Sequence, residues 1–243
     1  MPDRATPYSL FISDLHLDSS RPAVVQAFCH FLDQHHDCEA LYILGDLVEA
    51  WLGDDDDSAI AIELTGLLKT FSAAGPKLFL MHGNRDFLIG QTFCDAVGAT
   101  LLPDPTVIDL YGQTTLLMHG DSLCTADTNY QAFRKTARDP KWQTEMLSHS
   151  LLERREFATN LRAMSKEGNS NKAEDIMDVT DEEVQRCMAL HQSRQLIHGH
   201  THRPAQHEEA EGVRWVLGDW EQKGWAIRAD IDGINLYNFD IIQ

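Results

Sequence analysis

The chain reads as an α/β sandwich assembled from βαβ units, and three observations predict it. Short apolar runs alternate with helical stretches through the first 120 residues. The polar residues able to do chemistry stand directly behind those runs. The composition, 43% hydrophobic and 24% charged over 243 residues, is that of an ordinary globular protein, of a length suited to one domain with an insertion.

The elements follow in order. Tyr8–Ile12 is expected as a strand. Pro22–His35 is a helix, because Val24, Val25, Phe28, Phe31 and Leu32 return on one face. Leu41–Leu44 is a strand. Ala59–Phe71 is a helix that Gly75-Pro76 stops. Leu78–Met81 and Leu116–Met118 are strands. From about 125 to 192 the character changes. Between Trp142 and Met164 apolar residues fall at 142, 146, 147, 151, 152, 157, 161 and 164, which are helical intervals. This predicts an amphipathic, basic, helical insertion within a single domain spanning 1–243. Gln195–Ile197, Val213–Leu217, Trp225–Asp230 and Ile234–Phe239 return as strands, with Asp232-Gly233 as a hairpin turn between the last two.

Charge narrows the partners. Twenty basic against 38 acidic residues give −18, a field that disfavours generic binding to nucleic acid. The charge is uneven: residues 134–172 carry nine Lys or Arg and five acids, a local +4 that leaves −22 elsewhere. Such an island is either a solvated helix surface or a face for an anionic substrate or membrane. Cys29, Cys38, Cys94, Cys124 and Cys187 form no C-x-x-C pair, which fits reduced thiols in a cytosolic protein. No apolar run is long enough to span a bilayer, and no signal peptide is expected. No obligate protein partner is evident. The absence of G-x-S-x-G and P-loop patterns argues against serine hydrolases and P-loop NTPases.

Behind the strands stand Asp14-Leu15-His16, Gly45-Asp46, Gly83-Asn84-Arg85-Asp86, His119-Gly120-Asp121 and Gly199-His200-Thr201-His202. Loops beyond the carboxyl ends of strands build the ligand crevice of α/β sheets, so these clusters are expected to converge. Imidazole and carboxylate ligands suit borderline divalent ions, and the absence of cysteine speaks against a structural zinc site. Asp14, His16, Asp46, Asn84, His119, His200 and His202 are too many for one tetrahedral ion but suit two ions sharing a carboxylate. Alternation in Asp14-x-His16 and His200-x-His202 is read as extended backbone that points both side chains one way.

In this order, D-x-H, G-D, G-N-[HR]-[DE], H-G-D and G-H-T-H resemble the calcineurin-like metallophosphoesterases over roughly 8–127 and 192–240. The resemblance implies a four-layer αββα sandwich and a two-metal centre. Asp14, His16, Asp46 and His202 would hold one ion, Asp46, Asn84, His119 and His200 the other, with Asp46 bridging and water between the ions as nucleophile. Many members carry His after the G-N, where this chain has Arg85. Arginine does not give up its proton near neutrality but clamps phosphate oxygens bidentately. Arg85 therefore favours phosphoanhydride over ester cleavage.

Further segments sharpen the resemblance: Glu49-Ala-Trp51, Gly53-Asp-Asp55, His82-Gly-Asn-Arg-Asp-Phe-Leu88, Tyr130-Gln-Ala-Phe-Arg134 and Ser165-Lys-Glu-Gly-Asn-Ser170. Within the superfamily they resemble the hydrolases of UDP-2,3-diacylglucosamine in Gram-negative lipid A biosynthesis. That implies Mn²⁺-dependent attack on the α-phosphorus, with substrate contacts at Asn84, Arg85, Asp127, Ser165, Asn169, Lys172 and His200. It also implies that the insertion is a lid over acyl chains and a peripheral contact with the cytoplasmic side of the inner membrane. The alternative for Ser165 and Asn169 is a place at helix ends, which Ser and Asn favour. Asp86 is expected behind a ligand histidine, Asp54–Asp57 as a solvated run, and His82 and His198 either behind the ligands or in the core.

Overall fold

Two mixed β-sheets lie face to face in the computed structural model, which describes residues 6–170, 176–210 and 212–242, with backbone alone for 164–170. The first sheet has the order β11-β10-β1-β2-β3-β4, formed by Gly233–Asp240, Lys223–Asp230, Ser9–Ile12, Ala40–Ile43, Lys77–Met81 and Ala99–Leu102. The second has the order β5-β6-β7-β9-β8, formed by Thr106–Leu110, Gln113–Leu117, Gln195–His198, Gly212–Val216 and Ala205–Glu209. β1, β2, β3 and β4 run parallel, as do β6, β7 and β9; the remaining pairs are antiparallel.

The layers follow from which side chains are apolar. Phe11, Leu44, Met81, Leu117, Ile197 and Ile227 fill the space between the sheets. The outer face of the first sheet is covered by α1 (Pro22–Gln34), α2 (Ala59–Ala73) and α3 (Gln91–Val97), through residues such as Phe28, Phe31, Leu64, Leu68 and Phe93. α1 starts on Pro22, whose fixed φ suits a first helical turn. α2 is capped by Ser58, whose side chain accepts the Ala61 amide.

The expected insertion resolves into α4 (Thr128–Ala137), α5 (Pro140–Ser148), α6 (Leu151–Ser170) and α7 (Asp181–Leu190). These helices divide by what they bury. α7 sets Val184, Cys187 and Met188 against Leu116, Met118 and Leu196 of the second sheet, and so forms the outer layer on that side. The order is helix, sheet, sheet, helix. The stretch that stands over the strand ends is α4–α6. Asp54–Asp57 is a solvated run at Asp55 and Asp57, whose side chains are 62% and 70% exposed, but each of its four acids also has a partner. Asp54 accepts the Gly90 and Phe93 amides at the start of α3, at 2.8 and 2.9 Å. Asp55 takes a bidentate contact from Arg154 on α6, Asp56 accepts the Ser58 amide, and Asp57 pairs with Arg155.

Candidate metal centre and adjoining clefts

The parallel strands of both sheets deliver their loops to one edge. Asp14 and His16 follow β1, Asp46 follows β2, Asn84 and Arg85 follow β3, His119 follows β6, and His200 and His202 follow β7. Backbone hydrogen bonds stitch the loops together, from Asp14 N to Gly45 O, His16 N to Asp46 O and Gly199 N to His119 O. The expected extended backbone at D-x-H and H-T-H is not what is found. Asp14, His16, Asp46, His200 and His202 all have positive φ, between 49° and 69°. Left-handed backbone at Asp and His is uncommon and costs about 1–3 kcal/mol per residue. The sharp reversals, rather than strand alternation, turn the side chains inward.

The candidate ligating atoms fall into two groups. Asp14 Oδ1 lies 3.4 Å from His202 Nε2, and His202 Nε2 lies 3.4 Å from His16 Nε2. Asp46 turns Oδ2 toward His16 Nε2 and Oδ1 toward His119 Nε2, each at 3.8 Å. Asn84 Oδ1 lies 3.1 Å from His119 Nε2 and 2.9 Å from His200 Nδ1. All seven expected ligands are therefore gathered, with Asp46 between the groups.

The fit to a cation is physical. Asp14 is fully buried; its Oδ2 accepts Ser13 Oγ at 2.6 Å and the His200 amide at 2.9 Å, whereas Oδ1 has no hydrogen-bond partner. A buried carboxylate oxygen without a donor is costly unless a cation satisfies it. His119 Nδ1 donates to the Leu44 carbonyl at 2.8 Å, which turns Nε2 toward Asn84 Oδ1 and Asp46 Oδ1. Burial disfavours the charged imidazole of His119, yet the carboxylates of Asp46, Asp121 and Asp14 outweigh it and push the group up to about 9. His200 is pulled down to about 4, by burial first and then by His119. Burial raises Asp46. The same carboxylate field that holds a proton on His119 favours a bound cation.

Asp86 does not back a ligand histidine. It accepts the amides of Leu47 and Gly83 at 2.8 and 2.7 Å, tying the β2 and β3 loops together. His82 and His198 face the backbone carbonyls of Ile89 and Gly199. Trp51 is 5% exposed and packs on Phe93.

Two clefts meet here. A polar cleft of about 470 Å³ covers the ligand cluster and reaches Asp127, Arg203 and Asp219. An apolar cleft of about 460 Å³ runs beneath α4–α6, between Trp51, Phe87 and Leu88 on one side and Phe133, Trp142, Met146, Phe157 and Leu161 on the other. Glu49, Asn84, Arg85 and Tyr130 line both. Asp127 caps α4 by accepting the Tyr130 amide. Ser165 and Asn169 lie on α6, with side chains outside the described residues, and Lys172 is likewise outside them.

Residues 9–204 match the sequence model of the calcineurin-like phosphoesterases. The chain belongs to that family. Within this family it is 52% identical to a protein of Cellvibrio japonicus (strain Ueda107) named UDP-2,3-diacylglucosamine hydrolase, over 238 residues that cover 96% of this chain and 99% of the other. A protein of the same name from Pseudomonas paraeruginosa (strain DSM 24068 / PA7) is 51% identical over 229 residues, covering 92% and 95%. Vacuolar protein sorting 29 of Cryptosporidium parvum superposes with a TM-score of 0.50 at 13% identity, covering 99% of this chain and 94% of its own, a likeness of fold alone. The phosphoesterase is thus a hydrolase of the metallophosphoesterase type.

Several residues of this phosphoesterase site lay outside the expected set. Glu49 faces His16, Arg85 and Arg162. Tyr130 stacks on His200 with ring centres 5.8 Å apart and donates to Asp121 at 2.5 Å. Arg21 donates to the carbonyls of Leu15, His16 and Trp220, bracing the left-handed turn at Asp14 and His16. The only sequence signal for Glu49 and Tyr130 was their place beside motif residues, and Arg21 carried none.

Proposed function

We propose that the chain hydrolyses the pyrophosphate of UDP-2,3-diacylglucosamine by attack of water on the α-phosphorus. The products are UMP and 2,3-diacylglucosamine 1-phosphate (lipid X), and the step belongs to lipid A biosynthesis. The observation that carries this reading is the junction of a polar cleft with an apolar one at Asn84 and Arg85. A nucleotide joined to a two-chain lipid has the same division of polarity, and the names of the relatives support it.

Asp14, His16, Asp46 and His202 would hold one Mn²⁺, and Asp46, Asn84, His119 and His200 would hold a second. Two such cations supply Lewis acidity, which lowers the pKa of water and neutralises phosphate charge. The chain supplies the rest. Leu44 fixes the His119 tautomer, and Ser13 and the His200 amide fix Asp14. Arg85, with its backbone amide held by Asp46 Oδ1 at 2.8 Å, grips phosphate oxygens with a permanently charged fork. A phosphate leaving group, with a second pKa of about 6, departs without a proton donor, so arginine serves where an ester would need an acid. Asp127, Ser165, Asn169 and Lys172 complete the contacts to sugar, nucleotide and phosphate, and the walls of the apolar cleft exclude water from the acyl side.

No helix among the described residues is long and apolar enough to cross a membrane. Leu147, Leu152 and Phe157 on α5 and α6 are nevertheless 42%, 66% and 37% exposed. Together with the basic residues of this segment they support peripheral docking on the cytoplasmic face of the inner membrane, where the substrate resides.

The test compares Mn²⁺-loaded protein on UDP-2,3-diacylglucosamine in detergent, on UDP-N-acetylglucosamine and on a simple phosphodiester. Burying only four methylenes contributes about 3 kcal/mol, so kcat/KM for the lipid substrate should exceed the others by roughly a hundredfold or more. Equal rates on all three would return the site to a general phosphodiesterase or phosphatase.

A further inference from the structure

Glu49 stands where the two clefts meet, and its two oxygens face different groups. Oε2 lies 3.2 Å from His16 Nδ1. Oε1 lies 3.6 Å from Arg85 NH1 and 3.4 Å from Arg162 Nε, so a guanidinium from the β3 loop and one from α6 converge on a single oxygen. These separations exceed the 2.7–2.9 Å typical of charge-assisted hydrogen bonds. The Nε atoms of Arg85 and Arg162 are buried and have no hydrogen-bond partner. Two cations are therefore aimed at one place and held by one carboxylate that saturates neither. A group with more oxygens and more charge satisfies the pair better.

We propose that Glu49 is a displaceable internal anion, whose Oε1 keeps Arg85 and Arg162 in a fork that a phosphoryl group of the substrate takes over. The proposal rests on the phosphoanhydride reading of this site and extends it to residues that reading does not use. Before substrate arrives, Glu49 keeps the two guanidinium groups from splaying into solvent. When a phosphoryl group enters from the side of the apolar cleft, it takes Arg162 Nε–H and Arg85 NH1 from Glu49 Oε1 and also Arg85 Nε–H, and Glu49 retains His16 through Oε2. Because the carboxylate and the phosphoryl group compete for the same donors, Glu49 weakens phosphate binding and thereby hastens product release. Arg162 in turn links occupation of the polar cleft to the position of α6.

The experiment titrates inorganic phosphate into metal-loaded protein by calorimetry, with metal content measured for each variant. Glu49→Gln removes the competing charge and keeps the side chain's size. It should tighten phosphate binding by on the order of three- to tenfold, the scale of a partly exposed ion pair. Arg162→Met should weaken binding by a similar factor, and the double variant should lose most of the gain. Phosphate affinity that is unchanged or weaker in Glu49→Gln overturns the proposal. So does loss of metal from that variant, which would assign Glu49 to His16 alone. Failure of the lipid-nucleotide reading appears separately, as absence of UMP from the wild-type protein, and leaves the phosphate titration as it stands.

Discussion

Asp46 divides its carboxylate between two sets of donors, and the space for it is made by Gly83. A Cβ at residue 83 would land on Asp46 Oδ1 and on the Asp46 amide. Gly83→Ala is therefore expected to displace the shared carboxylate and to lower bound metal well below that of the wild type, read by emission spectrometry; an unchanged metal content contradicts the role given to Asp46. Arg85 offers a second test. Lysine keeps the charge but not the fork, so Arg85→Lys should lower kcat/KM by about two orders of magnitude, the usual cost of losing one aimed donor to a developing charge. The ligands were legible one by one because each follows a strand in a fixed order. Their conformation was not, since positive φ at Asp and His leaves no mark in a sequence. Glu49 was legible only as a neighbour of the motif: its partners Arg85 and Arg162 lie 36 and 113 positions away.

Arg154 and Arg155 of α6 reach back to the acidic run that was expected to be solvated. Arg154, 4% exposed, donates from Nε to the His149 carbonyl, from NH1 to Leu52 O and Asp55 Oδ1, and from NH2 to Asp55 Oδ2. Asp55 itself is largely exposed, so the ion pair alone adds little. The unpaired carbonyls left by Arg154→Met would cost about 1–3 kcal/mol each. This variant should unfold at lower temperature and, because α6 walls the apolar cleft, should raise KM for UDP-2,3-diacylglucosamine more than for UDP-N-acetylglucosamine; equal effects on both would detach α6 from acyl binding. Elements with strong periodicity, α1 and α2 among them, were legible at the right places. β8 was not, because Ala205–Glu209 is polar apart from one alanine, and β4 and β5 are half-buried at sheet edges. α7 was grouped with the insertion because its polar composition matches its neighbours, whereas only its contacts place it on the second sheet.

At the scale of the molecule, an acidic protein of −18 carries a +4 stretch at residues 134–172 of its sequence. That segment faces an anionic substrate on one side and an anionic surface on the other in the proposed reading. The buried, undonated Asp14 Oδ1 and the converging imidazoles would make a bound cation part of the folded state's stability as well as of its chemistry. A ligand at a hundred times its Kd contributes about 2.7 kcal/mol, and for a chain of this size that corresponds to roughly 5–10 °C in Tm. Chelation should lower Tm by that amount and Mn²⁺ should restore it; an unchanged Tm contradicts a cation at Asp14. The measurement that reaches the central claim most directly is hydrolysis of UDP-2,3-diacylglucosamine by the Mn²⁺-loaded protein in ¹⁸O-water, followed by mass spectrometry of both products. Attack at the α-phosphorus predicts ¹⁸O in UMP and none in 2,3-diacylglucosamine 1-phosphate. Label in the lipid phosphate instead, or no UMP at all, would contradict it.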